Sequence, residues 1–207
     1  MNKFEFGQNW NDYSKKIKSR NIKISMNDLK YYLGIKLKNK KFLDIGCGSG
    51  LSSLAACKLG ARVTSFDVDN LSTATTMALK KKYLSSYKKW KILKQGSVLD
   101  KKFCKSLGKF DIIYAWGVLH HTSNLWLSLK NIFLNSKKNT IFFVALYNDE
   151  GFYSRVWLII KKIYNILYFD ILKKIYFAFV LLFCTLKNYV FTIANITVSF
   201  KDLKILF

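Results

Sequence analysis

The sequence predicts an α/β fold built on a doubly wound, mostly parallel sheet, and three observations carry that prediction. From Lys40 onward, short β-like apolar runs alternate with helical patterns, as strands covered on both faces require. The first run, Phe42-Leu43-Asp44-Ile45, breaks into Gly46-Cys47-Gly48-Ser49-Gly50 and then into a helical pattern from Leu51, which reads as strand, tight turn and helix start. About twenty residues on, Arg62-Val63-Thr64-Ser65-Phe66-Asp67 forms a second run ending in a carboxylate, the distance at which a βαβ unit presents an acid to ribose hydroxyls.

Taken in order, residues 1–38 are polar and Lys-rich and form a helical lead or cap. Ile17, Ile22, Ile24, Met26, Leu29, Tyr32, Leu33 and Ile35 fall at roughly helical spacing, with Ser25 or Asn27 as the cap and Gly34 as the stop. The stretch FEFGQNW at 4–10 offers either an aromatic wall or a hydrophobic staple, and no contact is assigned to it. Residues 39–150 hold the binding domain. Strands are expected at 41–46, 62–67, 91–96, 110–116 and 139–147, and helices at 50–59, 71–84, 100–107 and 123–135. Ligands of such sheets gather at the carboxyl ends of the strands. Residues 44–50, Asp67, 96–98 and 116–121 all lie at such ends, so four separated stretches converge on one crevice.

The glycine spacing separates two cofactor classes. A dinucleotide fingerprint places its third glycine three residues after the second, and Leu51 stands there. The third glycine is Gly50 instead, with Asp44 two residues before Gly46. This acidic-x-Gly-x-Gly-x-Gly pattern resembles motif I of the class I S-adenosylmethionine-dependent methyltransferases. The run FDIIYAWGVLHH at 110–121 resembles that family's fourth strand and the loop beside the reactive methyl. SFDVD, QGSVLD, FDIIYAWGVLHHTSNLWLSL and ALYNDEGFYSRVWLIIKKIYN extend the likeness over roughly 4–168, towards the bacterial small-molecule branch related to the ubiquinone and menaquinone biosynthesis methylases.

The resemblance implies a Rossmann-like domain that binds S-adenosyl-L-methionine. Asp44, Gly46, Cys47, Gly48 and Gly50 would hold the methionine end, Asp67 the ribose, and Ser97 and Val98 the adenine, while Trp116 to His121 would flank the methyl. Ser97 stands where the family usually has an acid; its hydroxyl still accepts, and Val98 offers its backbone N–H and side chain to the ring. Asp69 and Asp100 read as caps of the following helices. His120 and His121 are the only histidines in the chain. One of them fits a general base by its ordinary pKa; alternatively they shape the pocket floor or begin the next helix. The implied acceptor is a small, hydrophobic or lipid-linked molecule methylated on oxygen or carbon. The lack of an Asn-Pro-Pro-Tyr-like run argues against an exocyclic base nitrogen.

The chain departs from the family pattern twice. Asn135-Ser136-Lys137-Lys138-Asn139 replaces a Pro-Gly-Gly turn before the fifth strand. Only 190–198 and 203–207 remain as candidates for the family's last two strands, so the sheet is expected to lack them and the chain reads as truncated or degenerate.

Composition bounds the partners. The net charge of +23 rests almost wholly on Lys, with Arg only at 20, 62 and 155 and no Pro. That reads as the drift of an AT-rich genome plus attraction to anionic surfaces, whereas base and phosphate recognition favours the Arg fork. A nucleic-acid partner is therefore not required, though it stays open. Cys47, Cys57, Cys104 and Cys184 make no C-x-x-C pair, which fits a reduced cytosolic compartment without a structural metal. The first residues lack the apolar core of a secretory signal, so a cytoplasmic protein is expected.

Residues 151–207 form an apolar, Lys-rich helical segment. Ile175 to Leu186 is an uncharged run of twelve between Lys174 and Lys187, short of the length of about twenty that a spanning helix needs. It reads as a helix on a membrane surface, peripheral to the inner face, or as a lid over the crevice. Two rivals stand beside the enzyme: a nucleic-acid methyltransferase or RNA-binding protein on the same fold, and a non-catalytic, membrane-associated remnant. Oligomeric state is not legible.

Overall fold

The computed structural model describes residues 6–147, 151–167 and 170–193. The chain divides into two units, Met1–Tyr147 and Asn148–Phe207.

In the first unit five parallel strands, β1 (Lys41–Ile45), β2 (Arg62–Phe66), β3 (Trp90–Ile92), β4 (Ile112–Trp116) and β5 (Ile141–Ala145), lie in the order β3-β2-β1-β4-β5. The chain runs outward from β1 to β3 and then crosses back to β4 and β5. Strand order therefore reverses beside β1, and the crevice opens where β1 and β4 end.

Alternation along each strand sorts the core into two layers. Phe42, Val63, Trp90, Ile112 and Tyr114 face the helices α2 (Ser19–Leu33), α3 (Leu51–Lys58) and α4 (Asn70–Leu84), with Leu29, Leu54 and Leu79 packed among them. Leu43, Ile45, Phe66, Ile113 and Ala115 form the other layer, covered by α5 (Lys101–Ser106) and α6 (Leu125–Ile132). The lead segment belongs to the first layer, since Ile17, Ile22, Leu33 and Leu37 are buried in it. Before it stands α1 (Phe6–Lys15), packed on α4.

Several boundaries differ from expectation for identifiable reasons. Helix α2 starts at Ser19, where Asn21 Oδ1 accepts the Lys18 N–H at 3.0 Å; neither Ser25 nor Asn27 caps it. Gly34 ends it in the left-handed region, as expected (φ +62°). β3 is three residues long, not six. Beyond it the chain stays tied to β2 through Leu93 N to Ser65 O and Gly96 N to Asp67 O, both 2.9 Å, and leaves the ladder between them. The helix expected over 123–135 ends at Ile132 and gives way to a tight turn at Phe133–Asn135. There the buried Asn135 donates to the carbonyls of Cys104 and Gly108. The turn before β5 closes without Pro-Gly because Asn139 adopts φ +67° and Thr140 Oγ1 accepts the Lys137 N–H.

The second unit contains α7 (Phe152–Ile166) and α8 (Asp170–Ile193), which pack together. Tyr176 donates to the Ile160 carbonyl at 3.2 Å, and the Lys173 ammonium lies 5.8 Å from the Tyr164 ring centre. Trp157, Leu158, Ile159, Phe177 and Phe179 are exposed. Among the described residues no helix is long and apolar enough to cross a membrane. Of the two stretches that were candidates for final strands, 190–193 are helical within α8 and the rest lie outside the described residues.

Candidate functional site

The glycine loop is shaped by backbone conformations that side chains resist. Gly46, Gly48 and Gly50 have φ of +67°, +51° and +81°. The N–H groups of Gly46 and Cys47 both point at Phe66 O (2.9 and 3.1 Å), and Gly50 N–H closes on Cys47 O at 2.7 Å. Thr76 of α4 supports the loop from below, its hydroxyl 3.1 Å from Gly48 O and 3.4 Å from Cys47 Sγ. Cys47 is buried, and desolvation holds its thiol far above the ordinary range, so it is an inert packing group.

The loop leads into α3, whose cap differs from those of its neighbours. Helices α4, α5 and α6 are capped by side chains of Asp69, Asp100 and Asn124, each accepting first-turn N–H groups. Asp69 and Asp100 thus take the capping roles read from the sequence. Helix α3 begins after Gly50 with no side-chain cap, which leaves its N-terminus facing the crevice.

Asp44, only 3% exposed, lies on the α3 face of β1. Its Oδ2 accepts from Ser53 Oγ at 2.5 Å; Ser53 Oγ lies 2.5 Å from Ser65 Oγ, which accepts from Trp90 Nε1 at 2.9 Å. Ser53 spends its one proton on Asp44, so Ser65, which accepts from the indole, donates to Ser53, and the protons run from Trp90 through Ser65 and Ser53 to Asp44. Burial pushes the Asp44 carboxyl up to about 7; hydrogen bonding from Ser53 opposes this, and the Asp67 charge adds to it.

Asp67 ends β2 half-buried beside the loop. Oδ2 accepts the Gly48 N–H and Oδ1 the Asp69 N–H, both at 3.0 Å. A carboxylate has about four acceptor sites, so each oxygen keeps one for a ligand hydroxyl. Burial raises its pKa despite these bonds.

Ser97 and Val98 follow the short β3. Ser97 Oγ accepts the Leu99 N–H at 3.2 Å. The Val98 side chain is buried in the α5–α6 layer, and its carbonyl accepts from Asn131 at 2.9 Å. The side chain is committed to the core, so a contact with a ring falls to the backbone.

β4 ends at Trp116, whose ring is half open and stacks on Phe143 (5.6 Å, 13°) and Tyr114 (6.4 Å, 15°). Gly117 turns the chain at φ +66° into the short turn Leu119–His121. The His120 ring lies 4.1 Å from both His121 and Tyr147, and His121 lies 5.1 Å from Phe6. Both His120 nitrogens are buried and have no hydrogen-bond partner among the described residues. Desolvation lowers both imidazole pKa values, and for His120 the neighbouring His121 adds to it. Both rings are therefore neutral at neutral pH.

The loop, Asp44, Asp67, the segment after β3 and the histidine turn thus all border the carboxyl ends of the strands. Three contributors were missed in the sequence, Ser53 and Ser65 in the Asp44 relay and Thr76 under the loop; Trp10 of the 4–10 stretch, left there without an assigned contact, lies over the loop. A Cβ on Gly48 would lie 2.9 Å from the Trp10 ring. Phe6, Trp10, Tyr13 and Ile17, spaced by four, three and four, carried the signal of a helix face.

Comparison with known proteins agrees with this geometry. The family described as "Methyltransferase domain" matches residues 19–164. A ubiquinone biosynthesis O-methyltransferase of Pelagibacter ubique is 36% identical over 114 residues, 54% of this chain and 44% of that protein. A ribosomal protein L11 methyltransferase of Helicobacter hepaticus is 34% identical over 87 residues, 42% of this chain and 26% of that protein. The chain thus spans less than half the length of either relative. A Methanococcus maripaludis structure, assigned as an S-adenosyl-L-methionine-dependent methyltransferase, superposes with a TM-score of 0.58 at 19% identity. It covers 78% of this chain and 74% of that one, and shows the shared fold. With a matched domain over most of its length, a reversal point flanked by the glycine loop and a parallel sheet of the right order, the chain belongs to the class I S-adenosylmethionine-dependent methyltransferases, and S-adenosyl-L-methionine is its cofactor.

Proposed function

We propose that the enzyme methylates an oxygen or carbon of a small hydrophobic acceptor, with His120 as the base that takes the acceptor's proton. The observation that carries this reading is the His120 ring: neutral, flanked by aromatic rings, and with two buried nitrogens that nothing among the described residues satisfies. An orphaned nitrogen at a ligand crevice is the donor-acceptor vacancy that an acceptor hydroxyl would fill.

The residues around the loop fit the cofactor. The uncapped N-terminus of α3 suits a carboxylate, the spare acceptor sites of Asp67 suit two ribose hydroxyls, and the Val98 N–H suits an acceptor nitrogen of the adenine. Asp44 and Asp67 place negative charge beside a group that carries a positive sulfonium. When bound, the cofactor supplies a methyl already activated for in-line attack. The protein's share is then placement of the acceptor beside Phe6, Tyr147 and Trp116, and removal of one proton at His120.

The name of the Pelagibacter relative supports an oxygen acceptor, and the exposed apolar faces of α7 and α8 support a hydrophobic or lipid-linked one. A polyanionic acceptor draws on a different place. Lys41, Arg62, Lys88, Lys89, Lys91 and Lys109 line a cavity of about 300 Å³. Those residues stand at the amino ends of the strands, away from the glycine loop, so a nucleic acid held there is not positioned to receive the methyl.

The test is transfer of radiolabelled methyl to a panel of phenols and catechols with and without a prenyl chain, alongside RNA and ribosomal protein. Labelling of the prenylated phenols that falls sharply in His120→Gln supports the proposal. Labelling of RNA or ribosomal protein alone overturns it.

A further inference from the structure

Each strand of the sheet starts beside a cation: Lys41 opens β1, Arg62 opens β2, Lys89 precedes β3, Lys109 precedes β4 and Lys137 precedes β5. Because all five strands are parallel, these starts come to one end of the sheet. Neighbouring strands lie about 4.8 Å apart, so from β3 across β2 and β1 to β4 the row covers about 14 Å.

Two hollows follow that row. One of about 300 Å³ is lined by Lys41, Arg62, Lys88, Lys89, Lys91 and Lys109. A second of about 350 Å³ shares Thr64, Lys91 and Leu107 with it and reaches Lys94 and Gln95 beyond β3. The shared walls join them into one trough that runs from the strand starts along β3, an edge strand, on the side that α5 covers.

A Lys-rich composition does not account for this trough. Cations are 35 of the 207 residues in the chain but six of the eleven that line the first hollow, and neither hollow is lined by an acid. Asp111, beside Phe110 of its wall, is already engaged by Lys137 at 2.7 Å and by the Lys41 N–H at 2.8 Å. Among the described residues the other ion pair, Lys15 with Asp12, belongs to α1. Six exposed cations thus share one concavity with no carboxylate among them, an arrangement that focuses positive potential.

The lining also selects among polyanions. Five of the six cations are Lys, which neutralise phosphates as point charges and do not supply the fork that reads a base. The apolar lining residues Val63, Leu93, Phe103, Leu107 and Phe110 are buried or half-buried. The trough therefore lacks both an apolar face to enter a bilayer and the exposed aromatic centre of a protein interface, where Lys is depleted. A basic channel of this kind tracks a flexible phosphate backbone.

We propose that the trough binds the phosphate backbone of single-stranded nucleic acid without regard to sequence, as an anchor apart from the methyl-transfer crevice. The inference goes beyond the acceptor reading and does not depend on it, because the strand starts lie at the opposite end of the sheet from the glycine loop.

The test is fluorescence anisotropy of labelled single-stranded RNA of about twelve nucleotides, in all-uridine and mixed sequences, over a salt series. Wild type is compared with Lys88→Gln/Lys89→Gln/Lys91→Gln and with a control, Lys23→Gln/Lys30→Gln/Lys58→Gln, which removes exposed charges from α2 and α3 in the other layer. Circular dichroism confirms that each is folded. Each neutralised phosphate contributes about 0.7 to the slope of log K against log salt, so the trough variant is expected to flatten the slope by about two and to weaken binding about a hundredfold at 0.1 M salt. The control, of the same net charge, should change affinity by less than about threefold, and both RNA sequences should behave alike. Equal losses in the two variants would assign the attraction to overall charge and overturn the proposal. So would a wild type that binds no RNA, or one that binds phosphatidylglycerol vesicles through the same three lysines in place of RNA.

Discussion

Asp67 Oδ2 accepts the Gly48 N–H at 3.0 Å, so the acid that ends β2 and the second glycine of the loop after β1 form one hydrogen-bonded unit. The residue expected to bind ribose therefore also sets the loop that holds the other end of the cofactor. Cofactor affinity and loop geometry cannot vary independently at this position.

Asp67→Ala accordingly removes both a ligand contact and a loop tether. With each bond to a charged acceptor worth about 1.5–3 kcal/mol, the affinities for S-adenosylmethionine and S-adenosylhomocysteine should both fall by about a hundredfold or more, with a lower Tm. Asp67→Asn keeps one carbonyl acceptor and presents its NH2 to the second backbone donor, so it should fall between. Calorimetry and thermal melts read both effects. Unchanged affinity in the Ala variant would remove the ribose assignment.

Asp44 should make cofactor binding pH-dependent. Its carboxyl is raised to about 7 in the folded chain, so near neutrality it is divided between acid and anion, and a bound sulfonium favours the anion. Binding should release protons, and affinity should rise by up to about tenfold per pH unit below about pH 7, then level off. Titrations at pH 6, 7 and 8 in buffers of different ionisation enthalpy measure the release, and Asp44→Asn should abolish it. Stability of the ligand-free chain should move the other way. A raised acid contributes stability below its unfolded value, near 3.8, and loses it as pH rises through about 7. Asp67 is raised as well and adds the same sign.

The glycine loop, the five strands and the carboxylate after β2 were legible because each is a local pattern: glycines where φ is positive, apolar runs, an acid at a fixed offset. The Asp44 relay was not. Ser53 is nine residues from Asp44 in sequence, and Ser65 becomes its partner only because β1 and β2 pair in the register that sets Asp44 opposite Ser65. Helix α1 was hidden differently. Its polar and Asn-rich sequence has weak intrinsic helicity, and the contacts with α4 and the loop that seat it are invisible locally. Val98 shows the reverse error, a residue at the right offset whose side chain the core had claimed.

His120 should act in turnover and not in cofactor binding. Its pKa is lowered, chiefly by desolvation, so the base is deprotonated at neutral pH and is lost only as pH falls below the ordinary histidine value of 6.5. The acid limb of kcat should lie below that value. His120→Gln should lower kcat by about a hundredfold, the usual worth of a positioned base, with cofactor affinity within about twofold. His121→Gln should cost less, since that ring packs on Phe6 and lies more open. An unchanged limb and kcat in His120→Gln would dismiss the base.

Two glycines with the same backbone strain separate conformation from contact. Gly34 and Gly46 have φ of +62° and +67°, so an added Cβ costs each about 1–2 kcal/mol. At Gly34 nothing lies within 4 Å of that Cβ, whereas at Gly46 it would meet the Val118 methyls at 2.5 and 2.6 Å. Gly34→Ala should lower Tm by several degrees and leave cofactor affinity unchanged. Gly46→Ala should cost more and weaken both adenosyl ligands, because Val118 must give way and it leads directly into the turn that carries His120. Adding Val118→Ala to Gly46→Ala removes the offending methyls and should recover part of the affinity. If the double variant binds no better than Gly46→Ala, strain in the loop alone accounts for the loss, and the coupling between the glycine loop and the histidine turn is not real.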